Sequence, residues 1–173
     1  MKRLLSRTKE TVHLNIIDTD CVSRVCISSL ESPQELKATM SVGNRAPLYA
    51  GATSKCLLAF SSQDFIDKYL AQVRLEPLTN NTIVEMEQLI SDLELTRERG
   101  YSSSLAETIQ GLGALSVPFF AFHQDIPIRA AVGLAIPEAR FNNYDHRKMC
   151  IEELLLASKE FSEATGCYSG NSP

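Results

Sequence analysis

Alternating apolar and polar side chains mark the first strand that the sequence predicts. Residues 11–17 place Val12, Leu14 and Ile16 on one side and His13 and Asn15 on the other. This period of two is typical of a strand with one buried face. Turn-forming side chains follow at 18–20, so residues 21–29 are interpreted as the returning strand of a hairpin. On this interpretation His13 is a surface residue or a satisfied core residue.

Apolar residues at steps of three and four predict helices further along the chain. One begins at Ser61, with a buried face formed by Phe65, Ile66, Tyr69 and Leu70. A longer one follows a capping box of Thr82 and Glu85 and ends at Gly100; its stripe comprises Ile83, Met86, Ile90 and Leu93. A last helix follows Asn143 and ends near Gly166, with Ile151, Leu154, Leu155 and Phe161 facing inward.

The remaining apolar runs complete a sheet. Residues 36–42 are predicted to form a third strand, and 115–122 and 128–136 a second hairpin. Pro118 has no backbone N–H to donate, which indicates a bulge or a sheet edge. Because the strands come in hairpins with helices between them, the predicted fold class is α+β with an antiparallel sheet.

Composition sets the size and the class of the protein. The 173 residues carry a formal net charge of −4 and suit a single domain. The basic residues are scattered, which argues against direct binding of nucleic acid. The sequence shows no signal peptide and no apolar run long enough for a membrane helix. Five cysteines without a CxxC pair argue against a disulfide framework, so we expect a cytoplasmic protein with reduced thiols.

Five small residues, Ala50 to Ser54, stand shortly before an apolar helical segment that begins at Cys56. The first N–H groups of a helix are unpaired and carry partial positive charge, so this turn could hold a small anion. The same residues could instead serve only to pack the helix tightly against a sheet. Lys55 is open to the same two interpretations, an anion ligand or a solvated side chain in the first turn.

The residues that could carry catalysis do not form a catalytic site. Cys56 lies in an apolar run, where a free thiol is usually a small core residue, and the three histidines have no metal-ligand spacing. Glu107 and Asp125 lie on separate loops. The sequence therefore predicts no catalytic residue, no metal and no cofactor. A hydrolase or transferase that uses Cys56 or Ser54 is the alternative.

Several blocks together resemble the effector-binding domain of the IclR family of bacterial transcription regulators. The blocks occur in family order over nearly the whole chain: 10–14, 42–50, 54–59, 75–83, 97–101, 117–120 and the helix that ends at Thr165-Gly166. The resemblance implies a GAF-like fold, a curved antiparallel sheet flanked by helices. It implies a domain at 9–168, preceded by a junction at 1–8 and followed by a disordered tail at 169–173.

The resemblance also implies partners and a site. The domain would sense a small organic acid, assemble as a homodimer or homotetramer, and contact DNA only through an N-terminal winged helix that this sequence does not contain. Implied ligand positions are Gly51, Ala52, Thr53, Ser104, Ala114, Gly133 and Ala135, with Leu57, Leu105 or Leu115 as apolar walls. Since only Ser104 carries a polar side chain among the strand positions, an acid larger than glyoxylate, with an apolar or aromatic body, is expected. A degenerate dimerisation domain without a ligand remains an alternative.

Overall fold

A computed structural model of the chain describes residues 1–123 and 126–165, and only the backbone of 121–123 and 126–129. The strands are β1 (Thr11–Ile17), β2 (Ser23–Leu30), β3 (Arg45–Pro47), β4 (Ser102–Leu105), β5 (Leu112–His123) and β6 (Ile126–Pro137). The helices are α1 (Lys2–Thr8), α2 (Ala52–Ala59), α3 (Gln63–Gln72), α4 (Met86–Arg99), α5 (Glu138–Phe141) and α6 (Tyr144–Ala164). The predicted tail at 169–173 lies outside the described residues.

The six strands form one curled sheet in the order β3-β2-β1-β6-β5-β4, and every neighbouring pair is antiparallel. The α+β fold class and the antiparallel sheet flanked by helices are confirmed. Pro118 lies in β5 beyond the last residue that pairs with β4, and its pairing with β6 has no register shift. It therefore occupies a sheet edge, one of the two predicted settings, because no neighbouring strand needs its missing N–H.

Both faces of the sheet are buried. The outer face packs Val12, Val132 and Leu134 against α1, α5 and α6. The inner face is covered by α2, whose eight residues are all buried, and α3 and α4 extend the same apolar cluster. The polar side of β1 is therefore not a solvent side: His13 and Asn15 are 2% and 0% exposed beneath α2. The inner face of the sheet therefore contains buried polar side chains from β1.

The third strand is the main difference in the sheet. Residues 36–42 form no strand; β3 is 45–47 and pairs with Ser23 to Val25. Gly43 turns the chain at φ +85°, and pairing begins directly after it, with the Cys26 N–H donating to Asn44 O at 2.9 Å. The edge of β2 is thereby occupied, and Leu36 and Val42 stay exposed. The prediction of a strand at 36–42 was wrong, because the apolar residues of a segment do not show whether a sheet edge is free to pair with it.

The helix ends agree with the sequence better than the buried stripes do. Asn143 caps α6 through its side chain, and Gly100 ends α4 in the left-handed conformation. Thr82 does not cap α4, however. Its hydroxyl accepts hydrogen bonds from the Leu78 and Thr79 N–H groups and donates to the Glu107 carbonyl. Glu85 is the N-cap of α4. Leu89 is buried where Ile90 was expected, and Leu155, expected to face inward, is 36% exposed. Residues 2–8, assigned to a junction, form α1 and bury Leu4 against the outer face.

Candidate functional site

The start of α2 rests on the inner face of the sheet. Gly133 of β6 pairs with His13 of β1 on one side and with Ser116 of β5 on the other. A Cβ on Gly133 would overlap Thr53 Oγ1 and would lie 2.6 Å from His13 Cε1. The helix therefore approaches the sheet so closely that only glycine fits at this position.

Eight of the ten predicted site residues share this inner face, seven of them at the helix start or on the strands beneath it. These seven are Gly51, Ala52 and Thr53 at the helix start and Ser104, Ala114, Gly133 and Ala135 on the strands. Leu57 lies one helical turn after Thr53, in the apolar cluster of the same face. Leu105 and Leu115 belong to the cluster on the opposite face of the sheet and do not lie with the others. The expectation that they line an apolar wall is corrected, because side chains alternate between faces along a strand.

The predicted amide donors are partly occupied by the chain itself. The Gly51 N–H donates to Glu107 Oε2 and the Ala52 N–H to Ser104 Oγ, both at 2.9 Å. The next two backbone N–H groups, of Thr53 and Ser54, have no acceptor among the residues that the structure describes. Of the three helix-start positions implied as ligand contacts, Gly51 and Ala52 therefore have occupied N–H groups, and the free donors are those of Thr53 and Ser54.

Lys55 is neither solvated nor free to bind an anion. Its ammonium group is buried, 2.6 Å from Glu107 Oε1 and 3.0 Å from Asp92 Oδ2. The two carboxylates come from the loop before β5 and from α4. This ion cluster ties the start of α2 to two other parts of the fold, a role that the sequence did not indicate. Asp125, the other acidic residue considered, lies outside the described residues.

The inner face carries buried polar atoms without hydrogen-bond partners. Beside the start of α2 these atoms are His13 Nε2, Thr53 Oγ1, Ser54 Oγ and Ser102 Oγ. An unpaired buried polar group costs free energy, so several in one place point to a ligand or to ordered water. Sequence reasoning missed His13 and Ser102. The signal that was available is the small or polar residue at every second position of the inner face: 102, 104, 114, 116, 131, 133 and 135.

Cys56 and Ser54 lack the environment of a nucleophile. Cys56 is fully buried, and burial raises the pKa of its thiol to about 12. A thiol with this pKa is not ionised at neutral pH, although a cysteine nucleophile acts as a thiolate. Ser54 Oγ has no hydrogen-bond partner in the described part of the chain, so no neighbouring base activates it. The arrangement suits binding, and the small thiol is a core residue.

His13 is a neutral imidazole in the folded protein. Burial is the main cause, and the nearby guanidinium of Arg24 adds to it; together they lower the pKa of His13 from its ordinary 6.5 to about 3. A lowered histidine pKa means that the unfolded chain binds the proton more tightly than the folded chain. The resulting stability is complete above pH 6.5 and is lost as the pH falls towards 3.

We predict that this linkage is measurable with His13→Gln, which supplies an N–H donor but does not titrate. Between pH 6.5 and pH 4.5 the free energy of unfolding of the wild type should fall by up to about 1.4 kcal/mol per pH unit more than that of the variant. Urea unfolding followed by circular dichroism measures both. Parallel pH profiles of the two proteins would contradict a buried neutral imidazole.

The described part of the chain shows neither a metal site nor a membrane-spanning helix. Among the side chains of 1–120 and 130–165, no three from His, Cys, Asp or Glu are grouped so that they could hold a metal ion. Within the same residues, no helix has the length and apolar character needed to cross a membrane.

Comparison with known proteins decides the family. The family model described as "Bacterial transcriptional regulator IclR C-terminal" matches residues 1–163. The chain belongs to the IclR C-terminal family. This IclR domain is 33% identical over 168 residues to the HTH-type transcriptional regulator KdgR of Escherichia coli K12, covering 97% of the chain and 62% of KdgR. It is 27% identical over 166 residues to the transcriptional repressor IclR of the same organism, covering 96% of the chain and 60% of IclR.

Solved structures agree with the fold. The Thermotoga maritima IclR structure superimposes with a TM-score of 0.84 at 30% identity, over 95% of this chain and 65% of that one. The C-terminal domain of E. coli KdgR gives a TM-score of 0.79 at 31% identity, over 97% of this chain and 94% of that one. The chain spans 53% of the length of one curated relative, the Dickeya chrysanthemi KdgR, and 62% of the E. coli KdgR. It corresponds to the ligand-responsive, effector-binding domain of an IclR-family regulator.

Proposed function

We propose that this IclR domain senses a small organic acid that binds between the start of α2 and the inner face of the sheet. One observation carries the proposal: free backbone N–H groups at Thr53 and Ser54 lie beside buried polar atoms that have no partner, among them Thr53 Oγ1 and His13 Nε2. A helix start with unpaired N–H groups stabilises negative charge, and a carboxylate accepts hydrogen bonds from several donors at once.

The polar character of the inner face favours an acid that carries hydroxyl or oxo groups. Ser54, Ser102 and His13 each hold an unpaired polar atom there, and an apolar body would leave these atoms unsatisfied. This replaces the aromatic or apolar body expected from the sequence, which was based on the lack of polar side chains among the strand positions and took no account of His13 and Ser102.

Binding would act on the rest of the regulator through the ion cluster of Lys55. Because Lys55 joins α2 to α4 and to the loop before β5, a ligand that orders the start of α2 also acts on these two segments. We propose that the longer protein is a homodimer or homotetramer whose arrangement responds to the acid, and that its DNA affinity changes through the winged-helix domain implied by the family. Such coupling requires that the acid bind one arrangement more tightly than the other.

Thermal unfolding and isothermal titration test the ligand class. The probes are gluconate, pyruvate, glyoxylate and benzoate, each compared with its neutral amide. We expect at least one hydroxy or oxo acid to bind and to raise the melting temperature, its amide to bind at least about tenfold more weakly, and benzoate to bind more weakly than that acid. Tightest binding of benzoate would contradict the polar site. Stabilisation by none of these acids would favour a dimerisation domain without a ligand.

A further inference from the structure

We infer that His13 recognises the effector directly, and that Asn15 and Arg24 are positioning residues that fix its imidazole as an Nε2–H donor. The inference rests on the proposed function, since it names the side chain that would bind an oxygen of the acid beside Thr53. It concerns residues of β1 and β2, which the resemblance did not include among the ligand positions.

The chain of hydrogen bonds determines where the imidazole proton lies. Arg24 donates from its guanidinium to Asn15 Oδ1 at 2.8 Å, and a guanidinium can only donate. The oxygen of the Asn15 amide therefore faces Arg24, and its NH₂ group faces His13 Nδ1 at 2.7 Å. Nδ1 must accept this bond, so a neutral imidazole carries its proton on Nε2.

The Nε2–H group has no acceptor in the described part of the protein. It is buried, and both Nε2 and Thr53 Oγ1, which also lacks a partner, lie within 3 Å of the position that a Cβ on Gly133 would occupy. That point lies 2.9 Å from Nε2. A buried donor that neighbouring residues hold in one orientation and that has no acceptor is the arrangement expected of a recognition residue, because preorganised donors need no rearrangement when the ligand binds.

Arg24 adds an electrostatic reason for an anionic ligand. Its side chain is only 6% exposed, and its hydrogen bonds go to neutral acceptors, Asn15 Oδ1 and the backbone and side-chain oxygens of Asn44. No carboxylate lies within ion-pair distance of it in the described chain. Burial of a cation without a counter-ion is costly. An acid bound near His13 would supply the missing negative charge.

The test compares the acid from the panel that binds the wild type with its amide. His13→Leu should weaken acid binding about 10- to 100-fold, because a hydrogen bond to a charged group is lost. His13→Gln, which keeps a donor near the Nε2 position, should lose less than about fivefold. Arg24→Met should weaken binding of the acid more than binding of the amide, whereas Arg24→Lys, which keeps the charge, should preserve the preference for the acid. Circular dichroism confirms that each variant is folded.

The imidazole tautomer gives a readout that needs no ligand. Long-range ¹H–¹⁵N spectra of the free protein should show His13, identified by its loss in His13→Gln, with Nε2 protonated and Nδ1 unprotonated. Substitution of Asn15 by leucine should remove this preference. An Nδ1–H tautomer overturns the inference whether or not any acid binds. Unchanged acid affinity in His13→Leu overturns it while leaving the proposed function intact, and an absence of binding by the wild type overturns both.

Discussion

Replacement of Lys55 by methionine is expected to lower the free energy of unfolding by about 3–5 kcal/mol, the largest effect of any single substitution considered for this chain. The Lys55 side chain is 1% exposed, and its ammonium group lies 2.6 Å from Oε1 of Glu107, whose side chain is 7% exposed. Without Lys55, the carboxylates of Glu107 and Asp92 remain beneath α2 with no cation beside them. The loss is therefore the cost of uncompensated buried charge added to the loss of the ion pair. Urea unfolding at pH 7 measures it.

The chain contains its own control for this result. Lys68 pairs with Asp64 at 2.8 Å, but both side chains are about three-quarters exposed, so Lys68→Met should leave the unfolding curve unchanged within error. The double variant Lys55→Met with Glu107→Gln should recover part of the lost stability, because one uncompensated charge is removed. Equal stability of Lys55→Met and Lys68→Met would show that Lys55 is not buried in its ion cluster.

Gly133→Ala is expected both to destabilise the domain and to abolish acid binding. A Cβ at this position would overlap Thr53 Oγ1 and would lie 2.6 Å from His13 Cε1. Either α2 or the imidazole must move, at a cost of about 1–3 kcal/mol typical of overpacking. Each of these movements displaces a proposed contact of the acid. Denaturant unfolding gives the stability, and titration with the acid that binds the wild type gives the affinity.

Gly113→Ala separates the two effects. Its Cβ would overlap the Phe141 ring and would lie 2.6 Å from Phe141 Cβ, on the outer face of the sheet. A similar loss of stability is expected, but acid affinity should stay within about threefold of the wild type, since the inner face is not disturbed. If Gly133→Ala bound the acid as tightly as Gly113→Ala does, the site would not lie between α2 and β6.

Local rules of sequence predicted the parts of the fold that depend on neighbours in the chain. Asn143 before a long helix and Gly100 after one are capping signals whose partners lie within a few residues, and both act as predicted. The strand edge at Pro118 also follows from local chemistry, since proline has no N–H. The position of residues 36–42 did not follow from such rules, because it depends on which part of the β2 edge is occupied.

In the site, too, local features were predicted from the sequence and long-range contacts were not. The small residues at the start of α2 predicted a close approach, and Gly133 meets Thr53 there. The acceptors of the Gly51 and Ala52 amides, however, lie 56 and 52 residues away in the sequence. The alternation in β1 predicted a strand, but burial of its polar side depends on α2, which packs across the sheet. Long-range partners of this kind cannot be identified from the period of one strand.

The most direct test of the account is an amide chemical-shift titration of the ¹⁵N-labelled domain with the acid that stabilises it most. The account predicts that the largest shifts are those of the Thr53 and Ser54 N–H groups, accompanied by the His13 Nε2–H signal, while the amides of α6 on the outer face stay unchanged. Saturable shifts confined to other residues, with Thr53 and Ser54 unaffected, would contradict it.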